Sequence, residues 1–124
     1  MTIEDAHRAY TVLSNIGSKT MPAKTAYKIS KLISALKGDS SFYTERLTQI
    51  VDEYGQKDDN GEAVISGNGY AIQKDKTDEC AVAIKELRDI EATTPETKIY
   101  LSEFDGIELS PSDMAAIYDF IEED

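Results

Sequence analysis

Residues 22–54 read PAKTAYKISKLISALKGDSSFYTERLTQIVDEY, and the way this stretch divides decides the fold. Its apolar and aromatic side chains fall at Ile29, Ile33, Leu36, Tyr43, Leu47, Ile50 and Tyr54, with Ser40 at the one seam position that lacks a large apolar group. Steps of three and four residues place them on one helical stripe. Lys37-Gly38-Asp39-Ser40 carries a stop signal, since glycine costs about 1 kcal/mol relative to alanine inside a helix and serine caps new helices. Yet the stripe keeps its phase across Gly38, which two independent helices would have no reason to do. A single helix about 50 Å long, bent if anywhere at Gly38, is therefore expected.

Upstream, Thr2 followed by Asp5 is a helix-start pattern, and Ala6, Ala9, Tyr10 and Leu13 give a short first helix to about residue 15 its apolar face. A turn at residues 16–19 makes the two helices antiparallel neighbours, with Pro22 in the first turn of the second. Gly55 is expected to end the long helix as a left-handed cap. Downstream, residues 62–72 read as a β-hairpin turning at Ser66-Gly67-Asn68-Gly69, with Val64, Tyr70 and Ile72 as its buried members. A helix from about residue 75 to residue 92 follows, and Lys98-Ile99-Tyr100-Leu101 is the expected third strand beside the hairpin. Ser110-Pro111-Ser112-Asp113 opens a last helix carrying Met114, Ile117, Tyr118 and Ile121. Its acidic end opposes the helix dipole and is expected to fray.

The fold class is thus α+β: a helical hairpin over residues 1–55 dominated by one long helix, then a small antiparallel sheet and two further helices over residues 56–124. At 124 residues the chain is one domain. Because a short first helix covers only part of the seam, Ile29, Ile33, Leu36, Tyr43, Leu47 and Ile50 remain for self-association as a homodimer.

The net charge of −11 is unevenly spread. Residues 1–40 carry six Lys/Arg against three Asp/Glu, whereas residues 61–124 carry five against sixteen. Such a surface repels nucleic-acid phosphates and anionic membranes, so direct binding to either is not expected. Lys24, Lys28 and Lys31 share one helix face, the ordinary solvated side of an amphipathic helix. No apolar run approaches the roughly 20 residues of a membrane span, and acids occupy the first ten residues where a signal peptide is basic. With the lone Cys80 unable to form an intramolecular disulfide, the expected location is the cytoplasm of whatever cell makes the protein.

Catalytic patterns are missing. His7 has no nucleophile in a recognisable setting beside it, and Cys80 lies on an apolar helix face where buried thiols are inert. Asp58-Asp59-Asn60-Gly61-Glu62 fails as a calcium loop, because placing Gly61 sixth puts Gln56 first and Gly67 twelfth. No cofactor, metal or enzymatic activity is expected.

The long helix ending in Glu53-Tyr54-Gly55-Gln56-Lys57-Asp58-Asp59-Asn60-Gly61 precedes a hairpin, a Glu-rich helix, Lys98-Ile99, Leu109-Ser110-Pro111-Ser112 and a closing Phe120-Ile121-Glu122-Glu123. Over residues 22–124 this succession resembles small uncharacterised proteins of phages and prophages of Gram-positive bacteria. The resemblance implies a phage-type source and brings no catalytic residues. Two roles are then expected. One is an anti-CRISPR-like or other anti-defence protein, a nucleic-acid mimic whose acidic surface fills a basic groove on a host defence protein. Its contact residues would be Asp113, Asp119, Glu122, Glu123 and Asp124, with Asp58, Asp59 and Glu62 as a second cluster. The other is a virion or morphogenesis protein that self-associates through the long helix. A third, remoter role is small-molecule sequestration in a dimer pocket beside Tyr43, Tyr54 and Tyr70.

Overall fold

The computed structural model describes every residue of the chain except Ala63, Gly67 and Asn68, so the centre of the expected hairpin turn lies outside the described residues. The first helix, α1 (Ile3–Ile16), opens with a reciprocal cap: the Asp5 amide donates to Thr2 Oγ1 at 3.2 Å, and the Thr2 amide donates to the Asp5 carboxylate at 3.1 Å. The second, α2 (Ala23–Tyr54), is one unbroken helix of 32 residues that passes through Gly38. Pro22 stands just outside its first turn as the cap residue.

The seam of α2 is used up inside the chain. Thr25, Ile29, Leu32, Leu36, Ser40, Tyr43 and Ile50 are buried, and the stripe expected to face a second copy faces α1 and a third helix instead. α1 runs antiparallel to the first half of α2, where the fully buried Ala6 and Ala9 let the backbones approach. The third helix, α3 (Thr77–Arg88), runs antiparallel along the second half, with Cys80 and Leu87 packed on Tyr43 and Ile50. α1 and α3 meet head to tail at mid-α2: the Ile3 amide donates to the Ile90 carbonyl at 2.7 Å, and the Ala92 amide to the Met1 carbonyl at 2.9 Å. Two shorter helices in line therefore bury a stripe that one could not.

The sheets differ from expectation. Strands β1 (Ile65–Ser66) and β2 (Gly69–Tyr70) form the antiparallel hairpin, but its next neighbour is the chain leaving α2. The Gln56 amide donates to the Ala71 carbonyl, the Val64 amide donates to the Gln56 carbonyl, and Gly55 bridges Ile72. Residues 98–101 are not the third strand there. Instead β3 (Ile99–Tyr100) pairs in parallel with β4 (Ile121–Glu122), because Ile99 is fully buried in the core at the other half of α2. Tyr70 is exposed rather than buried, while Val64 and Ile72 are half-buried.

Gly55 is extended (φ −73°, ψ 152°), not left-handed; a Cβ there would stand 2.4 Å from the Val51 carbonyl oxygen, and that close approach is what demands glycine. The last helix, α4 (Pro111–Ala116), begins as expected, the Asp113 amide donating to Ser110 Oγ at 3.0 Å. It stops six residues on, and the 3-10 turn Tyr118–Phe120 leads into β4. That path drives Ile117 and Phe120 into the core with Ile29, Leu32 and Leu36. It also removes the terminal carboxylates from a helix end whose dipole would oppose them. The expected frayed helix end is thus a paired strand. Among the described residues no helix is long and apolar enough to cross a membrane.

Candidate functional site

The acidic residues singled out from the sequence fall into two groups far apart. Ile117, Phe120 and Ile121 pack on the core of the first half of α2, so Asp113, Asp119, Glu122, Glu123 and Asp124 are carried there. Asp58, Asp59 and Glu62 follow the C-terminal end of α2 beyond Tyr54, eighteen residues and about 27 Å along the helix from Leu36. The two groups do not form one surface.

Within the first group the side chains have different roles. Asp124 is a fastener: its carboxylate accepts from the Ser102 amide at 3.2 Å and from the Ser102 hydroxyl, and these hydrogen bonds hold its pKa below the ordinary value. Lys98 donates through Nζ to the Asp119 backbone carbonyl, which ties down the turn before β4 and leaves the Asp119 carboxylate outside. Glu122 and Glu123 are exposed, the former on β4 opposite Tyr100. In the second group Asp58 is a turn former, its Oδ1 accepting from the amides of Asn60 at 2.8 Å and Glu62 at 3.0 Å. Asp59 and Glu62 are exposed. Gly61 takes φ +79° at this turn, where a side chain would be strained.

Where α4 crosses α1, Arg8 separates two clefts. One, of about 300 Å³, has Asp5 and Asp119 in its wall, and the other, of about 410 Å³, has Glu4, His7, Tyr43 and Asp113. Two arginines converge on Glu4, Arg8 at 3.2 Å and Arg88 at 2.8 Å. Asp113 and Asp119 have no ion-pair partner among the described residues; Arg8 and the Met1 ammonium balance Asp5 and Asp119 in the smaller cleft, and the larger keeps one acid in excess, Glu4 and Asp113 against Arg8. α1 thereby adds to an acidic face that the sequence placed on the C-terminal segment alone.

His7 packs against α2 rather than standing free at the surface. Its Nδ1 lies 2.8 Å from Ser40 Oγ, and its ring stacks on Tyr43 at 4.8 Å between centroids. Ser40 is the seam position without a large side chain, and the imidazole from α1 occupies the space so left. Burial lowers the pKa of His7 from 6.5, the nearby Glu4 carboxylate working the other way. Ser40 is itself 4% exposed, so the hydroxyl side of this contact is buried, while His7 also lines the larger cleft. Burial likewise pushes the Cys80 thiol up, away from nucleophilic thiolate.

Of the expected self-association residues, Ile29, Leu36, Tyr43 and Ile50 are buried in the chain's own core, while Ile33 and Leu47 are half-buried. Lys28 leaves the expected basic face: its ammonium pairs with Glu103 at 2.8 Å and lies 5.0 Å from the Tyr100 ring centroid. Among the described residues no group of three or more His, Cys, Asp or Glu side chains is placed to hold a metal ion. Comparison with protein-family models, with curated protein sequences and with solved structures finds no match.

Proposed function

We propose that this chain is a phage-encoded, non-enzymatic inhibitor of a host defence system, of anti-CRISPR-like type, which presents an acidic face to a basic groove on its target. The observation that carries the reading is the C-terminal segment. Asp119, Glu122 and Glu123 project from a segment fastened at three points, by Lys98, by Ser102 and by the β3–β4 pairing. A backbone held in place loses little freedom on docking, and the complementary field of the carboxylates it carries steers a basic partner toward them. Asp113 and Asp5 extend the same face across the α1–α4 crossing.

The test is affinity purification of the tagged protein from infected and uninfected bacteria, with mass spectrometry and a salt titration of any complex. A defence protein that elutes at moderate salt, and is lost from an Asp119→Asn/Glu122→Gln/Glu123→Gln variant, supports the proposal. A complex insensitive to both salt and these substitutions overturns it. A second role, virion assembly, draws support from Tyr27 and Phe42, which stay 70% and 49% exposed on α2 after the seam is buried. Its mark is the protein in purified particles together with recovery of head or tail proteins.

A further inference from the structure

Between α2 and α3 lies an open groove on the half of the molecule away from the C-terminal acidic residues. Along α2 one wall is built from Phe42, Arg46, Ile50 and Tyr54, each four residues after the last. The other wall follows Glu79, Ala83 and Glu86 of α3 and Ile90 just beyond its end. Two concavities of about 270 and 410 Å³ share Ala83 and Glu86, so they are successive parts of one groove. The small side chain of Ala83 keeps the floor low. Twelve residues of α2 separate Phe42 from Tyr54, about 18 Å, which accommodates about three turns of a docked helix.

The groove is apolar within and acidic at its rim. Phe42 is 49% exposed, Val82 56% and Ile90 41%. Asp78, Glu79 and Glu86 form no ion pair among the described residues, and Arg46 is the one cation among the groove-lining residues named. We propose that this groove takes an amphipathic helix of another protein, with an apolar ridge at i, i+3/i+4, i+7 and basic flanking residues. Charge complementarity selects that occupant. A second copy of this chain would bring the same acidic rim against itself, and an anionic membrane surface would be repelled by the net charge of −11. The inference stands apart from the acidic face proposed above, since it uses other residues on the other half of α2.

The probe is a synthetic peptide of about 14 residues with leucine at i, i+3, i+7 and i+10 and lysine on the remaining face, compared with a scrambled peptide of the same composition. Fluorescence anisotropy of the full-length protein should show at least about tenfold tighter binding of the amphipathic peptide at physiological salt. Amide shifts in residues 42–54 and 78–90 should mark the site. Phe42→Ser/Val82→Ser, at exposed positions outside the core, should remove that preference, and Glu79→Gln/Glu86→Gln should reduce the salt dependence. Equal affinity for the two peptides, or shifts centred on Asp119 and Glu122, would overturn the inference. So would a homodimer by sedimentation that Phe42→Ser dissociates, because a second copy would then be the occupant.

Discussion

Leu36→Ala tests whether the seam of α2 is this chain's own core. Leu36 is fully buried among Ala9, Val12, Leu13, Phe104 and Phe120, and the elements around it are braced on several sides and relax little into a void. Removing a leucine side chain from such a site costs about 3 kcal/mol, the lost transfer energy plus the cavity left behind. For 124 residues the entropy of unfolding is about 260 cal/mol/K near the midpoint, so Tm should fall by about 11 °C. Leu47→Ala, at a half-buried seam position, should cost about 1 kcal/mol and about 4 °C. Melts followed by circular dichroism at two protein concentrations about a hundredfold apart would separate the alternatives. If the seam is intramolecular, both shifts are the same at either concentration. A midpoint that rises with concentration in the wild type, with a loss for Leu36→Ala that grows on dilution, would refute the reasoning and restore the seam as an interface between copies.

Three further outcomes follow from single contacts. His7 has a lowered pKa, so the unfolded chain takes up the proton first: the stability that neutral His7 supplies is present above 6.5 and lost as pH falls below it. Denaturant midpoints measured from neutral pH down to about 5.5 should show that loss in the wild type and not in His7→Gln. Gly38 within α2 and Gly55 just past its end should answer oppositely to alanine: Gly38, with open space around it, should gain about 1 kcal/mol, whereas Gly55 should lose about 1–3 kcal/mol to the clash with the Val51 carbonyl, both read from thermal melts. Glu103 is held below its ordinary 4.5 first by the hydrogen bond from Lys28, so its contribution is present above 4.5 and lost as pH falls. Lys28→Met should cost about 1 kcal/mol at neutral pH and flatten that acid limb in the same denaturant series.

What could be read in the sequence is what local chemistry determines. The phase of the α2 stripe outweighed Gly38, and the capping pairs Thr2/Asp5 and Ser110/Asp113 marked where α1 and α4 begin. What could not be read depends on residues distant in the chain. A two-residue strand such as Ile99–Tyr100 has almost no pattern of its own, and its choice of Ile121–Glu122 over the hairpin is made by the core that receives Ile99. The same core receives Ile117 and Phe120 where α4 has already given way to a 3-10 turn, which carries the chain on into β4. Gly55 was rightly placed at a helix end, but a left-handed cap and a close backbone approach leave the same letter in the sequence. Ser40 held a usable signal for His7, because a small polar residue in an apolar seam implies a polar partner from the facing helix.

The burial of α2 also explains where the molecule's contact surfaces lie. The first half of the helix is covered by α1 and by the whole segment from Ile99 to Ile121, whose buried members all join one cluster. The second half is covered by α3 together with Ile3 of α1, and no buried member of that segment joins its cluster. Asp113, Asp119, Glu122 and Glu123 therefore lie with the segment over the first half, and Phe42, Val82 and Ile90 line the groove beside the second; exposed aromatic side chains also remain on the first half, at Tyr27, Tyr100 and Tyr118. The two surfaces answer to different physics. Binding at the acidic face should weaken steeply with salt and be indifferent to the order of apolar residues in the partner, whereas binding in the groove depends on that order and responds to salt only through its rim. The two surfaces approach each other at mid-α2, where Tyr43 lines the cleft that holds Asp113 and Phe42 opens the groove.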